Sequence, residues 1–133
     1  RTESMVPINL SNNPDLAPAL LIAWSILGKT LTIHGLNNLR HKECDRILAM
    51  QENLSVLNCR LISTNESADL WVLDASHRSF PKALHVNTFE DHRIAMAFAC
   101  MNPWVQQLTF TDSTCVEKSF PQFWEQWKKC TFE

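Results

Sequence analysis

Strand and helix signals alternate along this chain, with extra antiparallel pieces in the middle, and together they predict an α+β domain of the α/β-repeat kind. Three observations carry that reading. Apolar residues recur at helical spacing between positions 14 and 27, the mark of a buried helix. Residues 29–34 alternate and are rich in β-branched side chains, Thr30, Thr32 and Ile33 among them, the mark of a strand. Two further strand-like runs, 59–64 and 69–74, flank the polar turn Asn65-Glu66-Ser67, which reads as a hairpin.

Each element follows in order. Leu16, Leu20, Ala23, Trp24 and Leu27 form the stripe of the first helix and Leu21, Ile22 and Ile26 fill its other faces, so it is expected to be largely buried. Pro14 suits its first turn and Gly28 its end. Gly35 closes the strand 29–34. A second helix covers about 43–57, where Ile47, Met50, Leu54 and Leu57 make an apolar stripe and leave Glu52, Asn53 and Ser55 for solvent. After the hairpin, a loop with Ser79-Phe80-Pro81 leads to an extended piece around 84–88. Asp91 is the expected N-cap of a third helix. Its body, 94–101, is apolar on nearly every side, and Asn102-Pro103 ends it. Residues 105–111 alternate as a strand, and 120–129 form a last helix with Phe123, Trp124 and Trp127 on one side.

At 133 residues and 45% hydrophobic content the chain can bury one core, so 1–133 reads as a single domain or a piece of one. The formal net charge of −2 speaks against a nucleic-acid binder, which needs a basic face. Anion chemistry must come from local clustering. No run approaches the ~18 apolar residues that span a bilayer, and the opening residues Arg1 to Ser4 carry no apolar secretory core. Five cysteines without a Cys-x-x-Cys pair read as reduced thiols, and the chain as a soluble cytoplasmic protein. A first residue that is Arg1 and not Met reads as the interior of a longer polypeptide.

Three segments concentrate charge at expected helix starts, where free backbone N–H groups favour an anion. In Leu39-Arg40-His41-Lys42-Glu43-Cys44-Asp45-Arg46, Lys42 and Arg46 are four apart and repel on one helix face unless an anion sits between them. A solvated turn with Glu43 and Asp45 as counter-ions is the plainer reading. In Asp91-His92-Arg93, an Arg in a first turn opposes the helix dipole, so it either snorkels to water or meets an anion. Cys115-Val116-Glu117-Lys118-Ser119-Phe120-Pro121 holds one Lys before a helix and by itself decides nothing.

These three segments, together with Asn13-Pro14-Asp15-Leu16-Ala17-Pro18 and with Ile94-Ala95-Met96 after Arg93, resemble the EPSP synthase family, the 3-phosphoshikimate 1-carboxyvinyltransferases, in order and spacing. The resemblance covers nearly the whole chain. It implies βαβαββ units of the enolpyruvyl transferase fold, about two of the three units of a C-terminal domain, with the N-terminal domain of the same chain as the missing partner. It implies transfer of the enolpyruvyl group of phosphoenolpyruvate to the 5-hydroxyl of 3-phosphoshikimate, on the shikimate pathway to chorismate and the aromatic amino acids, with no cofactor or metal. Asp15 then matches the candidate base. Glu43 matches a carboxylate that shuttles the proton at C3 of phosphoenolpyruvate, and Lys118 a further proton carrier. Asn38 and Lys42 match contacts to phosphoshikimate. Arg46, Arg93 and Lys118 match the grip on phosphoenolpyruvate, with His92 beside it. Cys44 stands where the family has Ser or Thr and reads as packing. An isolated part of such an enzyme is expected to be silent, and to self-associate through its open face. A non-catalytic anion-binding module of the same fold, a UDP-sugar enolpyruvyl transferase and an RNA 3'-phosphate cyclase are the alternatives.

Overall fold

The chain opens on a parallel strand pair. In the computed structural model, which describes residues 6–130, β1 (Ile8–Asn9) lies beside β2 (Thr30–His34) with Ile8 opposite Ile33. The opening residues 1–4, read above for a secretory signal, lie outside the described residues. β1 was not expected: two residues are too short to show alternation. α1 (Ala17–Leu27) crosses between these strands and follows a single 3₁₀ turn, Pro14–Leu16. Gly28 ends α1 at φ 70, donating its N–H to the carbonyls of Trp24 and Ser25, a backbone shape that suits glycine.

The face that α1 buries corrects the expected stripe. Ala17, Pro18, Leu21, Ile22 and Ser25 point inward, whereas Leu16 and Leu27 are each 56% exposed and Ala23 faces solvent. Leu20 and Trp24 are half-buried against the core. The helix is apolar all round, so spacing could not tell which side would find a partner.

α2 (Arg46–Ser55) leads into the hairpin β3 (Arg60–Asn65) and β4 (Leu70–Asp74). β4 inserts between β2 and β3, antiparallel to both, and the sheet order is β1-β2-β4-β3. Leu31 stands opposite Leu73, Ile33 opposite Trp71, and Leu61 opposite Leu73. All five are buried, because the period-two pleat sends them to one face, where α2 packs on β3. The predicted stripe of α2 is inside: Ile47, Met50, Leu54 and Leu57 are each at most 1% exposed. Asn53, expected in solvent, is not. Its Nδ2 donates to the Asn87 carbonyl at 2.8 Å and its Oδ1 accepts the Asn87 N–H at 3.0 Å. That pair satisfies a backbone donor and acceptor which would otherwise be unpaired beyond β5.

β5 (Ala83–Val86) and β6 (Gln107–Phe110) form a second, two-stranded parallel sheet, with α3 (His92–Ala99) between them in the chain. α3 packs on α1. α4 (Phe123–Cys130) places Trp124 against Phe110 and ties Trp127 Nε1 to the Ala99 carbonyl at 2.9 Å. The observed order is thus strand-helix-strand-helix-strand-strand, then strand-helix-strand-helix. Among the described residues no helix is long and apolar enough to cross a membrane, and all five cysteines are free.

Candidate active site

The start of α3 is built around a buried carboxylate. Phe89 and Glu90 both take left-handed φ values, 53 and 55, and turn the chain from β5 so that Asp91 caps α3. Its Oδ1 accepts the Arg93 N–H at 2.9 Å, the side-chain bond an N-cap is expected to make. Asp91 is fully buried, so its remaining acceptor sites need partners. Arg46 supplies them from the first turn of α2, with Nε to Oδ2 at 2.7 Å and Nη2 to Oδ1 at 3.2 Å. The Cys44 thiol adds a donor to Oδ2 at 3.3 Å. A carboxylate offers about four acceptor positions, and Asp91 has a donor for each.

Burial works against charge on both members of this pair. For Asp91 the opposing Arg46 hydrogen bonds and charge outweigh it and hold the carboxyl below the usual range. For Arg46 the same bonds, with Glu43 and Asp15 nearby, outweigh burial and raise it above its ordinary value. Burial first, and then Asp91, push the Cys44 thiol up to about 12. Cys44 is therefore a protonated donor and more than the packing group read from sequence.

Arg46 is 1% exposed and also meets two carboxylates that face solvent. Nη1 donates to Asp15 Oδ1 at 2.9 Å, and Nη2 to Glu43 Oε2 at 2.7 Å. Four of its five N–H groups are thus committed within the described residues. Lys42 Nζ lies 4.0 Å from the same Asp15 oxygen, and Arg93 reaches the other at 3.6 Å. His92 Nδ1 sits 3.4 Å from Glu43. The anion expected between Lys42 and Arg46 exists, and the protein supplies it as Asp15. The geometry differs from expectation, since α2 begins at Arg46 and Lys42 precedes it in an extended conformation.

The structure thus brings together Asp15, Lys42, Glu43, Arg46, His92 and Arg93. Asn38 is exposed on the 3₁₀ turn Asn37–His41. Lys118 is exposed too and makes no ion pair with the cluster among the described residues. The turn Thr114–Val116 just before it packs against α3. An open cavity of about 530 Å³ adjoins the Asn38 turn, lined by Asn37, Arg40, His41, Glu66, Ser67 and Trp71. None of the clustered charges lines it. Glu43, Asp91 and His92 offer ligand-type atoms within 4.8 Å of one another, but the Arg46 guanidinium already bonds both carboxylates.

Chemically, this is two solvent-facing carboxylates held on neighbouring prongs of one buried cation, with half-exposed Lys42 and Arg93 at the rim. Three formal negative charges, on Asp15, Glu43 and Asp91, face three positive ones, on Lys42, Arg46 and Arg93. Sequence reading found Asp91 as a cap but missed it as the partner of Arg46. The cap motif was its only local signal.

The fold is a strand-and-helix repeat that gathers these groups from successive helix starts. The sequence model of EPSP synthase (3-phosphoshikimate 1-carboxyvinyltransferase) matches residues 1–127, and the chain belongs to that family. A 3-phosphoshikimate 1-carboxyvinyltransferase of Dehalococcoides mccartyi is 32% identical over 122 residues, 92% of this chain and 28% of that protein. That of Methanosphaerula palustris is 33% identical over 129 residues, 93% of this chain and 28% of its own length. That of Syntrophobacter fumaroxidans is 34% identical over 124 residues, again 93% and 28%. The chain spans just over a quarter of the length of these curated relatives.

Proposed function

We propose that this chain is the phosphoenolpyruvate-side portion of a cytoplasmic 3-phosphoshikimate 1-carboxyvinyltransferase and works with the remainder of a longer polypeptide. The observation that carries the reading is the convergence of Asp15, Glu43 and Arg46 with Lys42 and Arg93, from three chain segments, in a member of this family. The element order supports one complete βαβαββ unit followed by the first four elements of a second.

In the proposed reaction a proton adds to C3 of phosphoenolpyruvate and makes C2 electrophilic. The 5-hydroxyl of 3-phosphoshikimate adds to C2 and gives up its proton, forming a tetrahedral adduct. Phosphate then leaves C2 as C3 loses a proton, yielding 5-enolpyruvylshikimate 3-phosphate. The step needs an acid and a base within one substrate's width. Glu43 serves C3 and Asp15 the hydroxyl, and their shared bond to Arg46 fixes that width. Lys118 is the further proton carrier. Arg93, with His92 beside it, and Lys42 are open to the anions, and Arg suits planar carboxylate and phosphate. Arg46 keeps one N–H on Nη1 outside these bonds, and that is the donor it could offer phosphoenolpyruvate while Asp15 and Glu43 stay in place.

Formal charge in the cluster is balanced, so substrate anions require further cations from the remainder of the polypeptide. The chain alone is therefore expected to be silent, because a closed, water-excluding site needs both sides. The test is phosphate release by the complete protein with phosphoenolpyruvate and 3-phosphoshikimate, against phosphoenolpyruvate and a UDP-sugar. Turnover with the UDP-sugar alone would sink the reading.

A further inference from the structure

Outside the charged cluster, one carboxylate holds the turn that presents Asn38. Asp69 sits at the end of the hairpin turn with φ 50. Its Oδ1 accepts the N–H groups of Leu36 and Asn37, each at 2.9 Å, and the Trp71 indole N–H at 3.1 Å. Its carbonyl accepts the Gly35 N–H at 3.0 Å. Three consecutive backbone donors therefore end on one residue. The side chain of Asn37 adds a bond to the Glu66 carbonyl at 3.2 Å. At the far end of the turn Arg40 bonds Asp45 at 3.0 Å, and Leu39 between them is buried. Asn38 stands exposed between these ties, with no described side-chain hydrogen bond of its own.

We propose that Asp69 is a positioning residue for the hydroxyl-bearing substrate: it sets the place of Asn38 without touching the substrate. The inference rests on the enzymatic reading above and deepens it. A single exposed 3₁₀ turn has poor internal hydrogen bonding and holds its shape only through outside contacts. Bonds to an ionised acceptor are roughly twice as strong as neutral ones. Asp69 supplies two of these to the backbone entering the turn, at the end opposite the Arg40–Asp45 tie, and it makes no ion pair with Arg46 or Arg93 among the described residues. Its loss should loosen contacts made by Asn38 and leave those made by the arginines.

The test compares Asp69→Gly and Asp69→Asn in the complete polypeptide. Glycine accepts φ 50 without cost and deletes the acceptor; asparagine tolerates the same backbone and keeps one oxygen. Asp69→Gly is expected to raise KM for 3-phosphoshikimate about tenfold, with KM for phosphoenolpyruvate within about twofold. Amide hydrogen exchange at Leu36 and Asn37 should quicken in the same variant. Asp69→Asn should give a smaller rise, about threefold, in the phosphoshikimate constant alone, and it carries the test by itself if the glycine variant does not fold. An equal rise in both constants, or no change in either, overturns the role. A wild-type protein without turnover is a separate failure, that of the enzymatic reading, and removes the role with it.

Discussion

Arg46 and Asp91, 45 positions apart in the chain, form a solvent-free two-pronged ion pair, with Nε to Oδ2 at 2.7 Å and Nη2 to Oδ1 at 3.2 Å. It joins the first turn of α2 to the cap of α3, so the pair is both a fold contact and the base of the candidate site. Asp91→Asn leaves a buried guanidinium without its counter-charge. The expected loss is about 3 kcal/mol of unfolding free energy, read from urea denaturation. A loss under about 1 kcal/mol would show that Glu43 and Asp15 suffice.

Acid should weaken the same pair. The Asp91 carboxyl is held below its ordinary range, so its contribution is fully present above the unfolded value of about 4 and is lost as pH falls through the lower folded value. Unfolding free energy measured from pH 6 to pH 2.5 should fall below pH 4, and fall less steeply in Asp91→Asn. Identical acid slopes would refute the assignment.

Cys44 should resist alkylation. With the thiol pushed up to about 12, almost no thiolate exists at pH 8, and thiolate is the reactive form. Iodoacetamide is expected to modify exposed Cys130 well before Cys44, as peptide mass mapping would show. Its contribution to stability is present below about pH 8.5 and declines above it, because the folded value is raised.

Gly35 should be less replaceable than Gly28, although both have positive φ. A Cβ at Gly35, φ 93, would lie 2.5 Å from the backbone nitrogen of Ser11, whereas at Gly28 it would meet the movable Arg78 side chain. Gly35→Ala is expected to cost more than Gly28→Ala by at least about 1 kcal/mol. Thermal melts of the two variants decide it, and equal melting temperatures would remove the steric argument.

The outer face of α1 should make the chain alone self-associate. Leu27 on this helix and Leu16 in the turn that caps it stand more than half exposed, with Leu20 and Trp24 half-buried, and apolar area of this kind favours covering. Sedimentation should show a dimer or larger species, reduced to monomer by Leu16→Glu with Leu27→Glu. A monomeric parent chain would end the idea.

Much of the order of elements could be read from sequence, because α2, β2 and the hairpin carry strong periodicity and the caps Asp91 and Gly28 are local signals. What failed was orientation. α1 is apolar on every side, so its spacing left the buried face open, and Asn53 looked polar until its bonds to Asn87 were visible. The site shows the same divide. Its charged residues were legible as motifs, yet the enclosure of Arg46 by Asp15, Glu43 and Asp91 depends on contacts 31, 3 and 45 positions away. Only the shortest of these lies within a helical turn.

The β5–β6 sheet has one further consequence. A ribbon only two strands wide leaves a row of unmatched amides and carbonyls along each margin, and such margins recruit whatever extended chain is nearby. For this chain alone, these eight residues are a second place where copies could meet, by stacking into cross-strand assemblies. In the longer polypeptide proposed above, the same margins would seat neighbouring strands.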